Sequence, residues 1–166
     1  MPQPNPNPGP GTRPDLDLTI SRVIKAPRAA IWNAWTDPAS LERWWVPEPA
    51  RCEVVALDLH PGGAFETRFS EDGGSFAPHL NACFLHVVEG EQIVFTDALH
   101  GGWRPAAQSF MTAIITLRDH PQGTAYTACV LHKNGADRDA HERMGFFDGW
   151  GTVIDQLARL VERPDR

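Results

Sequence analysis

Across residues 141–161, Met144, Phe147, Trp150, Ile154, Leu157 and Val161 recur at spacings of three or four, the period of one face of a long helix. Glycines at 145, 149 and 151 interrupt that helix. A glycine inside a helix costs roughly 1 kcal/mol against alanine, so a cluster of them calls for a reason, and room beside the helix is the one this pattern favours. An amphipathic helix with a vacant stripe, placed after a series of β-patterned segments, predicts a helix laid across a curved sheet over a ligand cavity.

The upstream chain supplies such a sheet. Leu16, Leu18, Ile20, Arg22 and Ile24 alternate with Asp17, Thr19, Ser21 and Val23, the period of a half-buried strand. Ala26-Pro27 ends it, and Pro27 suits the first turn of a helix whose apolar face is Ile31, Ala34 and Trp35. Asp37-Pro38 then opens a second short helix over residues 39–45. Six strand segments follow, at 52–59, 64–69, 80–88, 92–96, 109–118 and 124–133, with a longer loop at 98–107 that carries Gly101, Gly102 and Trp103. Links this short join antiparallel neighbours, which excludes a parallel nucleotide-binding sheet. The fold expected is α+β, a curved antiparallel sheet of about seven strands wrapped around the C-terminal helix, in the order strand, two helices, six strands, helix.

Residues 1–14 alternate proline with small polar residues (Pro2, Pro4, Pro6, Pro8, Pro10, Pro14) and read as a disordered tail, so the single domain is expected over 15–166. A formal charge of −6 with scattered basic residues argues against nucleic acid as a partner. Cys52, Cys83 and Cys129 form no CxxC pair, and read as small core residues in a reducing cytoplasm. No apolar run reaches the roughly 18 residues of a membrane span, and no signal-peptide pattern opens the chain. The expected location is cytoplasmic.

The order of elements resembles the helix-grip fold of START-like and birch-pollen-allergen-like proteins. The local wording is similar to the family related to the C-terminal domain of the heat-shock protein 90 ATPase activator. The segments that carry this are Ala26-Pro27, Trp35-Thr36-Asp37-Pro38, Leu41-Glu42-Arg43-Trp44-Trp45 and Asp58-Leu59-His60-Pro61-Gly62-Gly63. Gln92-Ile93-Val94-Phe95-Thr96, Met144-Gly145-Phe146 and Gly149-Trp150 extend the match toward the C-terminus. The resemblance implies a bent sheet gripping the last helix, two short helices closing one end, and an internal cavity for an apolar or amphipathic molecule. It implies no reaction, because this fold hosts carriers, receptors, cyclases and chaperone co-factors.

Candidate cavity residues follow from the strand faces. Phe65, Phe84, His86 and Met111 are expected to meet Met144, Gly145 and Trp150 across the cavity, although alternation alone leaves open which face of each strand turns inward. Trp44, Trp45 and Trp103 either rim an opening or, for the first two, anchor the short helix to the sheet. The histidines at 60, 79, 86, 100, 120, 132 and 141 show no HxxxH or HExxH spacing, so neither a metal nor a cofactor is expected. His141-Glu142 is a candidate acid or base at the cavity mouth, since imidazole titrates near neutrality. No serine lies in a GxSxG elbow, and no glycine pair forms a phosphate loop.

The function expected is binding of a small hydrophobic or amphipathic molecule between sheet and helix. Two alternatives stand beside it: a cyclase- or hydratase-type enzyme using the same cavity, and a chaperone-contacting module that the resemblance alone supports. Exposed edge strands permit a homodimer.

Overall fold

The alternating segments pair as their short links require. In the computed structural model, which describes residues 13–162, they form β1 (Asp17–Ile24), α1 (Arg28–Thr36), α2 (Pro38–Leu41), β2 (Arg51–Leu57), β3 (Ala64–Ser70) and β4 (Ala77–Val88). After these come β5 (Gln92–Thr96), β6 (Leu99–His100), β7 (Arg104–Pro105), β8 (Thr112–His120), β9 (Gly123–Leu131), α3 (Gly135–Arg143) and α4 (Phe146–Val161). The proline-rich segment read at 1–14 lies outside the described residues, except for its last two positions.

Seven strands make one antiparallel sheet in the order β1-β9-β8-β5-β4-β3-β2. β1 closes onto β9, in register from Asp17↔Leu131 to Ile24↔Thr124. Phe65, Ala82, Phe95, Ala113, Ile115, Tyr126, Ala128 and Val130 are buried on the face covered by α1 and α4, which settles the face of β8 that turns inward. The centre of this core is aromatic. Trp35 packs edge-on to Trp44 and Trp45 at 5.2 and 5.1 Å, and Phe65 stacks on Phe84 at 5.0 Å. Each such pair contributes about 0.5–1.5 kcal/mol beyond its buried area. The one polar edge of Trp35 is satisfied, its Nε1–H donating to the Tyr126 hydroxyl at 3.1 Å.

Three features differ from the expectation. The second short helix covers only α2, because its last turn opens after Leu41. The loop at 98–107 contains the two-stranded arm β6–β7. A Cβ added at Gly101 would lie 2.6 Å from the Ala64 Cβ, and Ala64 points to the face opposite Phe65, so the arm covers the outside of the sheet.

The third difference is that the C-terminal helix is two helices. The Asn134 side chain caps α3 by accepting the Asp137 N–H at 2.8 Å, seven residues before the helix expected at 141. Gly145 then breaks the run with φ at +95°, a left-handed backbone that costs a residue with a Cβ roughly 1–2 kcal/mol. The break shifts the apolar stripe. Phe146 is buried, whereas Met144 is 74% exposed and Phe147 is 46% exposed.

Candidate functional site

A cleft of about 260 Å³ lies between α4, the loop after α2, the first part of β4 and the start of β8. Trp45, Pro47, Leu80, Met111, Trp150 and Val153 give it an apolar wall, and His79 and His141 are its titratable groups. Gly149 leaves the space on the helix side: a Cβ added there meets nothing within 4 Å. Of the three helix glycines, then, only Gly149 answers to room along the cavity wall. Gly145 serves the backbone turn, and the Ile20 Cδ1 lies 3.7 Å from a Cβ added at Gly151, an ordinary contact.

Two bulges in β4 decide which of its side chains reach the cleft. Between the pairs Thr67↔Leu80 and Arg68↔Pro78 the strand carries His79 as an extra residue, and between Phe84↔Phe95 and His86↔Val94 it carries Leu85. Each insertion inverts the alternation beyond it. The first brings His79 next to Leu80 on the cavity margin, its Nδ1 3.0 Å from the Thr67 hydroxyl. His79 keeps an exposed edge, yet crowding around its ring holds its pKa below 6.5 by desolvation. The second sends His86 to the outer face, exposed in a polar groove with Glu91, Gln92 and Arg118. His86 is therefore not a cavity residue.

Trp44 is an anchor. It is 1% exposed, and its Nε1–H donates to the Ala34 carbonyl at 3.1 Å. Trp45 does both jobs, touching Trp35 and Phe65 on one side and the cleft on the other. Its Nε1 is sealed without a hydrogen-bond partner among the described residues. Phe65 and Phe84 are fully buried behind this layer, where they support the wall without lining it. Trp103 lies across the sheet from the cleft, 52% exposed, and covers Gly62, where an added Cβ would come within 2.5 Å of the indole Nε1. Met144 faces solvent, and Gly145 turns the chain without lining the cleft. The structure thus gathers Trp45, Met111 and Trp150 of the candidates, together with His141, expected at the cavity mouth, and Gly149, expected to leave room beside the helix, and adds Pro47, His79, Leu80 and Val153.

Gln156 holds the near wall in place. From α4, its Nε2 donates to the carbonyls of Trp44 and Val46 at 3.1 and 2.8 Å, and its Oε1 accepts the Glu48 N–H at 2.8 Å. The side chain is 4% exposed, so these bonds are made where water cannot replace them. They fix the loop that presents Trp45 and Pro47. A polar residue inside an apolar helix stripe was the one sequence signal for this clamp.

His141 sits in a box of rings. Phe110, Phe146, His132 and Trp150 have centroids 4.9, 5.1, 5.2 and 6.4 Å from its own. Its Nδ1 is 2.9 Å from His132 Nε2, and His132 Nδ1 is 2.8 Å from the Leu16 carbonyl. Desolvation pushes the His141 pKa down to about 4, with the neighbouring His132 adding to the shift and Asp97 opposing it. The imidazole is therefore neutral at physiological pH. Among the described residues no group of three or more His, Cys, Asp or Glu side chains is placed to hold a metal ion, and no helix is long and apolar enough to cross a membrane.

Fold and site together define a helix-grip domain with a small apolar cleft under its last helix. The chain belongs to the family described as Activator of Hsp90 ATPase homolog 1-like protein, whose model matches residues 25–162. It is similar to a solved protein from Nitrosomonas europaea at 39% identity, with 91% of this chain and 97% of that one covered and a TM-score of 0.83. A second, from Chromobacterium violaceum, shares 28% identity over 90% of this chain and 99% of that one, with a TM-score of 0.70. An AHSA1-like protein from Aeromonas hydrophila shares the fold, at 20% identity over 89% of this chain and 92% of that one, with a TM-score of 0.64. No curated protein matches the chain.

Proposed function

We propose that the protein binds one small, largely apolar molecule in the cleft between β4, β8 and α4. The observation that carries this reading is the combination of six apolar wall residues with an unfilled volume at Gly149. An apolar void of roughly 150 Å³ accepts benzene, so 260 Å³ takes a substituted ring or a short branched chain and not a long lipid. Such pockets are mainly apolar with a few placed polar groups, and His79 and His141 are those groups here. The three cysteines are free and buried, in keeping with action in a reducing cytoplasm.

Native mass spectrometry of the protein as purified from cells, beside a denatured control, tests the reading. A reproducible extra mass released on unfolding is the expected result, and its value gives the ligand class. A bare protein mass that stays bare after incubation with small aromatic and branched aliphatic probes would refute it. The buried histidine pair favours a second reading, an enzyme of the cyclase or hydratase kind with His141 moving the proton. That reading expects His141→Ala to abolish turnover of a bound substrate while the fold is retained.

A further inference from the structure

The direction of the hydrogen bonds through the histidine pair follows from its far end. A carbonyl oxygen only accepts, so the Leu16 carbonyl, which already accepts the His132 backbone N–H at 3.1 Å, also accepts a hydrogen bond from His132 Nδ1–H at 2.8 Å. In a neutral imidazole the other nitrogen is then an acceptor. His132 Nε2 therefore receives the Nδ1–H of His141, and His141 Nε2 is left with a lone pair. That nitrogen has no hydrogen-bond partner among the described residues. It belongs to a residue that lines the cleft and is 8% exposed. The titratable groups around the pair are few. Asp97 is held by the backbone N–H groups of Phe110 and Met111, at 2.8 and 3.1 Å, and His79 stands on the opposite margin.

Resting on the binding reading above, we propose that the ligand is an uncharged hydroxyl compound of the phenol class, whose O–H donates to His141 Nε2 inside the cleft. Two further properties of the site agree with this chemistry. Among the described residues no Lys or Arg lines the cleft, so a carboxylate would meet a lone pair where it needs a proton. The volume suits one substituted ring.

The test uses three probes of one size, p-cresol, p-xylene and p-toluate, titrated at pH 7 into the full chain and into His141→Phe, with tryptophan fluorescence as readout. In the wild type the affinity ratio of p-cresol to p-xylene is expected to exceed that of His141→Phe by roughly tenfold, the worth of one buried hydrogen bond. The p-toluate anion is expected to bind more weakly than p-cresol. Equal ratios in the two proteins, or tighter binding of p-toluate, would overturn the hydroxyl assignment while leaving an apolar cleft that binds p-xylene. Failure of every probe to bind the wild type would remove the binding reading itself. The tautomer is checked separately, on the unmodified protein, by side-chain ¹⁵N resonances. A proton on His141 Nδ1 with Nε2 bare is expected, and a proton on Nε2 refutes the inference whatever the ligand.

Discussion

Gly149→Leu places a branched side chain where an added Cβ meets nothing within 4 Å, in a stretch of α4 whose backbone is right-handed and accepts any residue without strain. Removing a glycine from the helix interior contributes about 0.8 kcal/mol to stability. Full burial of a leucine contributes ~1.5–3 kcal/mol, and the cleft is open on one side, so about half of the lower figure applies. The two effects together come to about 1.5 kcal/mol, which for a chain of this size raises Tm by roughly 3–6 °C. The same side chain consumes the ligand volume, so p-cresol affinity is expected to fall by more than ~tenfold. Gly149→Ala separates the effects: it gains the helix preference and leaves most of the cleft. The assay is thermal unfolding followed by circular dichroism, with fluorescence titration on the same samples. A destabilised Gly149→Leu would show that the space is not vacant, and a stabilised one that binds p-cresol as before would show that the ligand sits elsewhere.

Two more outcomes follow from buried polar groups. Gln156→Met keeps the side-chain length and strands the carbonyls of Trp44 and Val46 and the N–H of Glu48; the expected loss is about 2–4 kcal/mol, read as a lower urea midpoint with unchanged slope. His141 is neutral in the folded protein down to about pH 4, whereas an unfolded histidine takes up a proton below 6.5. The unfolded state binds the extra proton in that window, so stability falls as pH drops from 6.5 to 4, by up to roughly 3 kcal/mol from this residue. Urea titrations across that range check it, and His141→Phe should flatten the curve.

The strand order was legible because period-two alternation and Gly-Pro turns are local signals, and each is written in the residues that make the strand. The bulges in β4 were not. An inserted residue leaves hydrophobicity intact and changes only which face the following side chains take, so reading 80–88 as one uninterrupted alternation placed His86 beside Phe84 when the register separates them. The first helix of the C-terminal pair escaped because α3 carries no large apolar residue and shows no apolar period; Asn134 with Asp137 three residues on was the capping signal that marks its start. Side-chain chemistry points to Trp103 as the rim of an opening and helical spacing points to Met144 as a cavity residue, but their exposure follows from an arm and a helix break that depend on tertiary placement. The histidine pair joins the end of β9 to α3, and its direction is set by the Leu16 carbonyl just ahead of β1, a relation that no spacing records.

The pairing of β1 with β9 also orders events during synthesis. Every partner of β1 in the sheet lies on β9, about a hundred residues further along. At ~5–20 residues per second, the first strand leaves the ribosome roughly 5–20 s before anything exists for it to pair with. During that interval β2 to β5 and β8 can build the opposite edge by successive hairpins, each from neighbouring segments. The last strand then admits the first one. Because Leu16 leads into that late-docking strand and carries the carbonyl that orients His132, the polar end of the cleft acquires its hydrogen-bond direction only when β1 meets β9.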